Sequence, residues 1–314
     1  MLSMVSFSRS KNYTFWIKLA TVILMLIVCY AFYTMIVRYL KWKGSQLPKE
    51  QFIGDFLGEL FDKKTNIGIV SMIKDPKNIE TWLKTHKDMG IAHFYIRLEE
   101  TPEIQEYLEK REDVTLQLGQ PTGVNEYDEK QVRQNKWVNE VLRTSETDGR
   151  GIKWLIHIDG DELLHGDLSE VQDLPDEVRT FWMVNKEAKF SRVPKKQDSC
   201  FDASKMSDCN KKIGGCVSYA NGKGGGRVAK DVTAVGPHRM KSILEKTRGR
   251  KLEKLVVHHY ESCDFDIYKK KFKQLSVQDK KLEIPFSYYN ESIEAAKLDN
   301  DEQLYKIYEK YRVE

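Results

Sequence analysis

Apolar positions along the chain fall into two periods, and their order predicts most of the architecture. Asn66-Ile-Gly-Ile-Val-Ser-Met-Ile73 is a short apolar run of the kind that forms a buried strand, stopped by Lys74-Asp75-Pro76. Ile79, Trp82, Leu83, His86 and Met89 then recur at helical spacing up to Gly90, a C-cap residue. His93-Phe-Tyr-Ile96 returns to a strand, so strand, helix and strand follow within ~30 residues as a βαβ unit, and its parallel strands end at one crevice. Thr101 to Lys110 predicts a helix, Val114 to Leu118 a third strand, and Glu129 to Thr144 a longer helix with Val132, Trp137, Val138, Val141 and Leu142 inward. Strands are further predicted at Trp154 to Ile158, Val178 to Val184, Ala234 to Met240 and Lys254 to Tyr260, and closing helices at Asp264 to Gln274 and Asp301 to Tyr311. The expected fold class is α/β, with a mostly parallel central sheet flanked by helices. Between Pro194 and Gly226 the chain is polar, Cys-bearing and glycine-rich, and reads as one long loop of the sort that serves as a lid or binding loop.

The N-terminal segment departs from this pattern. From Leu19 to Val37 no residue is charged, and with Phe15, Trp16 and Ile17 the apolar stretch reaches the ~20 residues that cross a bilayer. It is longer than the ~7 to 15 apolar residues of a cleaved signal peptide, which favours an uncleaved anchor. The expected organisation is a tail at 1–14, one transmembrane helix at 15–38, a stem at 39–63 and a folded domain at 64–314. Arg9, Lys11 and Lys18 precede the span while Arg38, Lys41 and Lys43 follow it, so flanking charge leaves the orientation open. The short tail and large C-terminal domain fit a type II protein with its domain in the Golgi or ER lumen, and fit a cytosolic domain as well.

Composition changes this picture little. With 51 Lys+Arg against 47 Asp+Glu among 314 residues, charge gives no argument for nucleic acid. Of the five cysteines, Cys29 lies in the span, and the spacings of Cys200, Cys209 and Cys216 match no paired zinc motif. A disulfide of Cys200 with Cys209 or Cys216 would suit an oxidising lumen; free thiols are the other reading.

Candidate chemistry concentrates in Trp154-Leu-Ile-His-Ile-Asp-Gly-Asp-Glu-Leu-Leu164. A buried strand delivers Asp159, Asp161 and Glu162 to its C-terminal end, the end that faces the ligand crevice of an open α/β sheet. Two carboxylates one residue apart across a glycine can hold a hard cation, Mn²⁺ or Mg²⁺, with positions left for diphosphate oxygens. The competing reading is a hydrophilic Asp-Gly-Asp turn.

The segment Ser71 to Asp75, with Glu80, Trp82, His86, Gly90 and His93-Phe-Tyr-Ile96, then Arg133-Gln134 and Trp154 to Leu164, resembles a family-2-related glycosyltransferase, more narrowly the GT92/DUF23-like group. Gly236-Pro-His238 and His259-Tyr260 fit that group's later pattern. The resemblance implies a GT-A fold and a metal-dependent, inverting transfer from a nucleotide-sugar donor to a glycan or glycoconjugate hydroxyl. It implies that Asp159, Asp161 and His259 hold the metal, and that Lys74, Asp75, Arg133, Gln134 and Asp159 serve the donor. Glu162, Asp231 and His238 are the candidates for the base. Arg97-Leu-Glu-Glu100 stands where the group places Asp or Asn, which leaves the nucleotide open. A metal-dependent phosphoesterase or nucleotidyl enzyme and an inactive glycan-binding domain are the alternatives.

Overall fold

The computed structural model describes residues 65–120, 126–208, 217–246, 249–278, 284 and 286–314, and five helical positions nearer the N-terminus, Thr21, Leu24, Met25, Thr34 and Met35. The expected tail and stem lie outside the described residues, as do Cys209, Cys216 and all of the 15–38 anchor except those five positions. Among the described residues no helix is long and apolar enough to cross a membrane. The chain divides into Met1–Asp62 and Lys63–Glu314, and the fold below belongs to the second unit.

Strands β1 (Ile67–Lys74), β2 (His93–Glu99), β3 (Val114–Gly119) and β4 (Trp154–His157) are connected through helices α1 (Ile79–Met89), α2 (Gln105–Glu109) and α3 (Glu126–Thr144). After β4 come β5 (Glu162–Gly166), helix α4 (Ser169–Gln172), β6 (Thr180–Met183), β7 (Asn185–Lys189), β8 (Lys205–Asp208) and β9 (Lys223–Arg227). The chain closes with β10 (Val232–Ala234), β11 (Met240–Ser242), β12 (Arg250–Lys251), β13 (Leu255–His259) and helices α5 (Phe265–Ser276), α6 (Ser287–Lys297) and α7 (Asp301–Arg312). The central seven-stranded sheet has the order β12-β6-β9-β4-β1-β2-β3. β9 runs antiparallel to both neighbours and the other pairings are parallel. This is a mixed α/β fold with a mostly parallel central sheet flanked by helices. A second sheet, β5-β13-β7-β8, leaves from the end of β4.

Side chains of β1 explain why the sheet is covered on both sides. Ile67, Ile69 and Ile73 pack with Trp82 and Leu83 of α1, while Val70 and Met72 pack with Trp137, Val138 and Val141 of α3. Alternation with a period of two sends each set to its own face, and apolar residues in both sets require a layer on each side. Gly90 caps α1 as expected, with φ 106° and its N–H donating to the His86 and Lys87 carbonyls. Val132, expected inward on α3, is 68% exposed, while the adjacent Arg133 and Gln134 are buried.

Three expectations from the chain pattern are corrected. The Pro194 to Gly226 stretch is not one loop: it holds β8, and its glycines form β9, inside the central sheet. A Cβ on Gly225 would sit 2.3 Å from the Phe181 ring and 2.8 Å from the Leu155 carbonyl oxygen, so only glycine lets this strand pack there. Ala234 to Met240 is the turn of the β10–β11 hairpin, not a strand. Cys200 pairs with Cys263, 63 residues on, whereas the expected partners were Cys209 or Cys216. Closing a loop of that length stabilises a fold by about 2–4 kcal/mol.

Trp82 and His86 fix the start of β5 from across the first layer. The Trp82 indole N–H donates to the Glu162 carbonyl at 2.7 Å. His86 Nδ1 donates to the Trp82 carbonyl at 2.8 Å, and its Nε2 accepts the Leu164 N–H at 3.0 Å. Burial keeps this imidazole neutral and brings its pKa down to about 3 from 6.5. The folded value is the lower one, so the stabilisation is present above pH 6.5 and is lost as pH falls toward 3. From this residue the loss is about 1.4 kcal/mol per pH unit across that window. Urea unfolding at stepped pH should show His86→Gln with a shallower acid slope than the wild type and about 1–3 kcal/mol less stability at pH 7.5. Equal slopes would mean that His86 does not titrate this way.

Candidate metal-binding cleft

β4 ends at His157 and the chain turns through Asp159-Gly-Asp161 before entering β5, where Glu162 pairs opposite His259 of β13. The two sheets diverge at this turn, and a cleft of about 420 Å³ opens there. Its walls are the end of β1 (Met72 to Asp75), the first turns of α3, the acidic turn, Tyr219, His238, the segment His259 to Ser262 and one side of α5. The C-terminal ends of parallel strands thus meet a helical wall, the place where open α/β sheets accept ligands.

The two aspartates of the turn have different neighbours. Asp159 accepts from Gln134 Nε2 at 2.6 Å and from Lys223 Nζ at 2.5 Å. Lys223 is fully buried and also reaches Glu162 at 3.2 Å. Burial opposes its charge, but Asp159 and Glu162 outweigh that and hold the ammonium above the usual lysine range. Burial likewise works against the Asp159 carboxylate, and Lys223 overrides it, so Asp159 stays ionised far into acid.

Asp161 joins His259 and Glu261, and one ligand atom from each lies within 4.8 Å of the others. His259 Nε2 is 3.7 Å from Asp161 Oδ2 and 3.6 Å from Glu261 Oε2, while its Nδ1 donates to Glu187 Oε1 at 2.9 Å. Holding one ring nitrogen on a carboxylate leaves the other for a cation, the usual arrangement of a ligating histidine. Burial opposes protonation of His259, yet Glu187 and Asp161 raise its pKa well above 6.5. Glu261 is brought to about 2 against its burial, by Lys271 at 2.5 Å and by His259. One imidazole and two carboxylates form a donor set that fits a hard divalent cation. This acidic and histidine cluster can bind a metal; Asp159, expected beside Asp161 in that role, is placed on Lys223 and Gln134.

Other expected residues divide into those the fold brings to the cleft and those it does not. Lys74, Asp75, Gln134, Asp159, Asp161, His238 and His259 all line it. Lys74 pairs with Glu100 and Asp75 with Lys270, at 2.5 Å in the second case. Arg133 does not line it: its guanidinium makes a two-pronged pair, both bonds 2.9 Å, with Glu99, which does. Asp231 is held by Arg179 and Ser242, outside the cleft. Glu162 is fully buried, with the Tyr219 hydroxyl, Lys223 and the Asp159 N–H on its carboxyl group. Of the three candidates for the base, only His238 borders the cavity. Its Nδ1 donates to the Gly222 carbonyl at 3.0 Å, which places the lone pair of the neutral ring on Nε2. Burial and then the Lys223 charge lower its pKa to about 3.

Glu261, Glu187, Lys223 and Lys271 are site residues that the sequence pattern did not disclose. Glu261 carried a signal, since it lies two residues after His259 and follows the same side of an extended chain. Lys223 stood alone among glycines read as a loop, and Glu187 had no local signal.

No family model matches the chain, and no curated protein matches it. Among solved structures it is similar to HddC from Yersinia pseudotuberculosis complexed with GMP-PN, at TM-score 0.33 and 9% identity over 65% of this chain and 96% of that one. It is similar to a putative glucose-1-phosphate thymidylyltransferase from Bacillus anthracis in complex with a sucrose, at 0.26 and 7% over 65% and 75%. A homologue of Mycobacterium tuberculosis Rv0371c from Mycobacterium sp. strain JC1 matches at 0.25 and 12%, over 40% of this chain and 66% of that one. Likenesses this slight decide neither fold nor chemistry, and they do not support the narrower GT92/DUF23-like identification.

Replacing Lys223 by Met would leave Asp159 and Glu162 without their cation inside the fold. Chemical denaturation at pH 7 should show a loss of roughly 3–5 kcal/mol, part of it recovered when Glu162→Gln is added. Unchanged stability would show that the two carboxylates do not depend on the ammonium.

Proposed function

We propose that the chain is a metal-dependent glycosyltransferase of GT-A-like organisation that moves a sugar from a nucleotide-sugar donor to a glycan or glycoconjugate hydroxyl. The observation that carries this reading is the convergence of Asp161, His259 and Glu261 at the mouth of a cleft formed by parallel-strand ends. A divalent cation, Mn²⁺ or Mg²⁺, would be held by these three residues and would neutralise charge developing on a diphosphate leaving group. Lys270 and Lys74, both on the wall and paired with Asp75 and Glu100, would be drawn to phosphates lying beside them. Asp159 is locked by Gln134 and Lys223, so it can meet a donor hydroxyl without moving.

His238 is the base in this reading. The acceptor oxygen bonds to the anomeric carbon as the bond from that carbon to the phosphate oxygen breaks, and the hydroxyl proton passes to His238 Nε2. Its low pKa keeps the ring unprotonated at neutral pH. It also makes the ring a weak base, suited to accept a proton already acidified by bonding of the oxygen to carbon. Inversion at the anomeric carbon follows the family resemblance. An anchor at 15–38 with the domain in the Golgi or ER lumen belongs to the same proposal, and the Cys200–Cys263 disulfide supports an oxidising compartment.

Nucleoside diphosphates should raise the melting temperature only when Mn²⁺ is present, and nucleotide sugars should be turned over with release of nucleoside diphosphate. Asp161→Ala and His259→Ala should each lower turnover by about 10³-fold or more while the metal-free protein melts cooperatively. Full turnover in either variant would remove the metal assignment. Pyrophosphate released from a nucleoside triphosphate and a sugar phosphate would identify a nucleotidyl enzyme, and no response to any nucleotide would favour an inactive binding domain.

A further inference from the structure

We propose that Glu187 and Arg312 are positioning residues for the metal cluster: Glu187 fixes the orientation of His259, and Arg312, at the end of α7, holds Glu187 in place. This rests on the metal reading of Asp161, His259 and Glu261 given above. All three members of the relay are buried, Glu187 and Arg312 at 0% exposure and His259 at 4%. Glu187 Oε1 accepts from His259 Nδ1 at 2.9 Å, and Oε2 faces Arg312 Nη1 at 3.5 Å. One carboxylate therefore lies between an imidazole that lines the cleft and a guanidinium from the last helix of the chain.

Backbone contacts make Arg312 a fixed point. Phe190, at the end of β7, donates its N–H to the Arg312 carbonyl at 2.9 Å, and Glu314 donates to the Phe190 carbonyl at 3.0 Å. The guanidinium lies 5.6 Å over the Phe190 ring. Its three nitrogens make no hydrogen bond among the described residues, so the ion pair with Glu187 offsets its buried charge. Without Arg312, the Glu187 carboxylate would have less reason to stay where it holds the imidazole, and His259 Nε2 would be less well aimed at the position shared with Asp161 and Glu261. Partners behind a ligating histidine ordinarily matter for metal affinity even though they never touch the ion.

Mn²⁺ titration calorimetry on the full chain, together with melting temperatures of the metal-free protein, tests this. Glu187→Gln and Arg312→Met should each weaken Mn²⁺ binding roughly 10- to 100-fold relative to wild type, with Arg312→Lys recovering most of the loss. Variants that melt lower yet bind Mn²⁺ with wild-type affinity would overturn the proposal and leave the relay a structural ion pair. If Arg312→Met does not fold, Glu187→Gln and Arg312→Lys decide by the same comparison. Wild-type protein that binds no Mn²⁺ would overturn the metal reading itself, and this proposal with it.

Discussion

Five carboxylates, those of Asp159, Asp161, Glu162, Glu187 and Glu261, meet in and behind one cleft, and the surrounding fold must keep them from repelling one another. Carboxylates drawn out of water are costly unless each has a cation or a set of donors. The chain supplies Lys223 for Asp159 and Glu162, Lys271 for Glu261 and Arg312 for Glu187, each from a different element. His259 sits among three of the acids and is itself held protonated by them. Among the described residues Asp161 alone of these acids has no lysine or arginine and is matched only by the His259 ring. The acids that hold a proton on His259 would equally favour a divalent cation in its place, with the proton released from Nε2 as the metal binds.

Rigidity is supplied from behind. Trp82 and His86, which carry part of the family resemblance, do not line the cleft; they hydrogen-bond the backbone of Glu162 and Leu164 and so fix where the acidic turn enters β5. The Cys200–Cys263 bond and the Lys77–Asp264 pair, at 2.8 Å, do the same for the segment that carries His259 and Glu261. Tyr219 joins the two halves, with its hydroxyl on Glu162 and its ring 5.0 Å from that of His259. Ligand atoms from the acidic turn and from the end of β13 are thereby held against a common framework, as a site that must bind before it reacts requires.

The helical wall adds a different property. α5, α6 and α7 bury a core of their own, rich in Tyr268, Phe272, Tyr288 and Tyr308. One side of α5 stays turned to the cleft, where Lys270 and Lys271 reach Asp75 and Glu261. Both lysines are now on carboxylates of the wall, so an anion entering the cleft would compete for ammonium groups that are close at hand. The aromatic core behind them keeps that face in place while the ammonium groups, on flexible stems, can re-pair.

Sequence by itself determined the first four strands with their helices, because each is a local run whose apolar period of two or about 3.6 survives in any context. It also determined that acids end β4 and that His259 lies on a late strand. It could not determine that Gly224 to Gly226 form a central strand, since the reason for glycine at Gly225 is the Phe181 ring and the Leu155 carbonyl, contacts made across the sheet. Nor could it separate Asp159 from Asp161, which two positions of spacing make look equivalent. Lys223, 64 residues from Asp159, and Glu187, 72 residues from His259, give them different roles. Charge pairing inside a fold is set by distances between elements far apart in the chain, and only the tertiary structure fixes those.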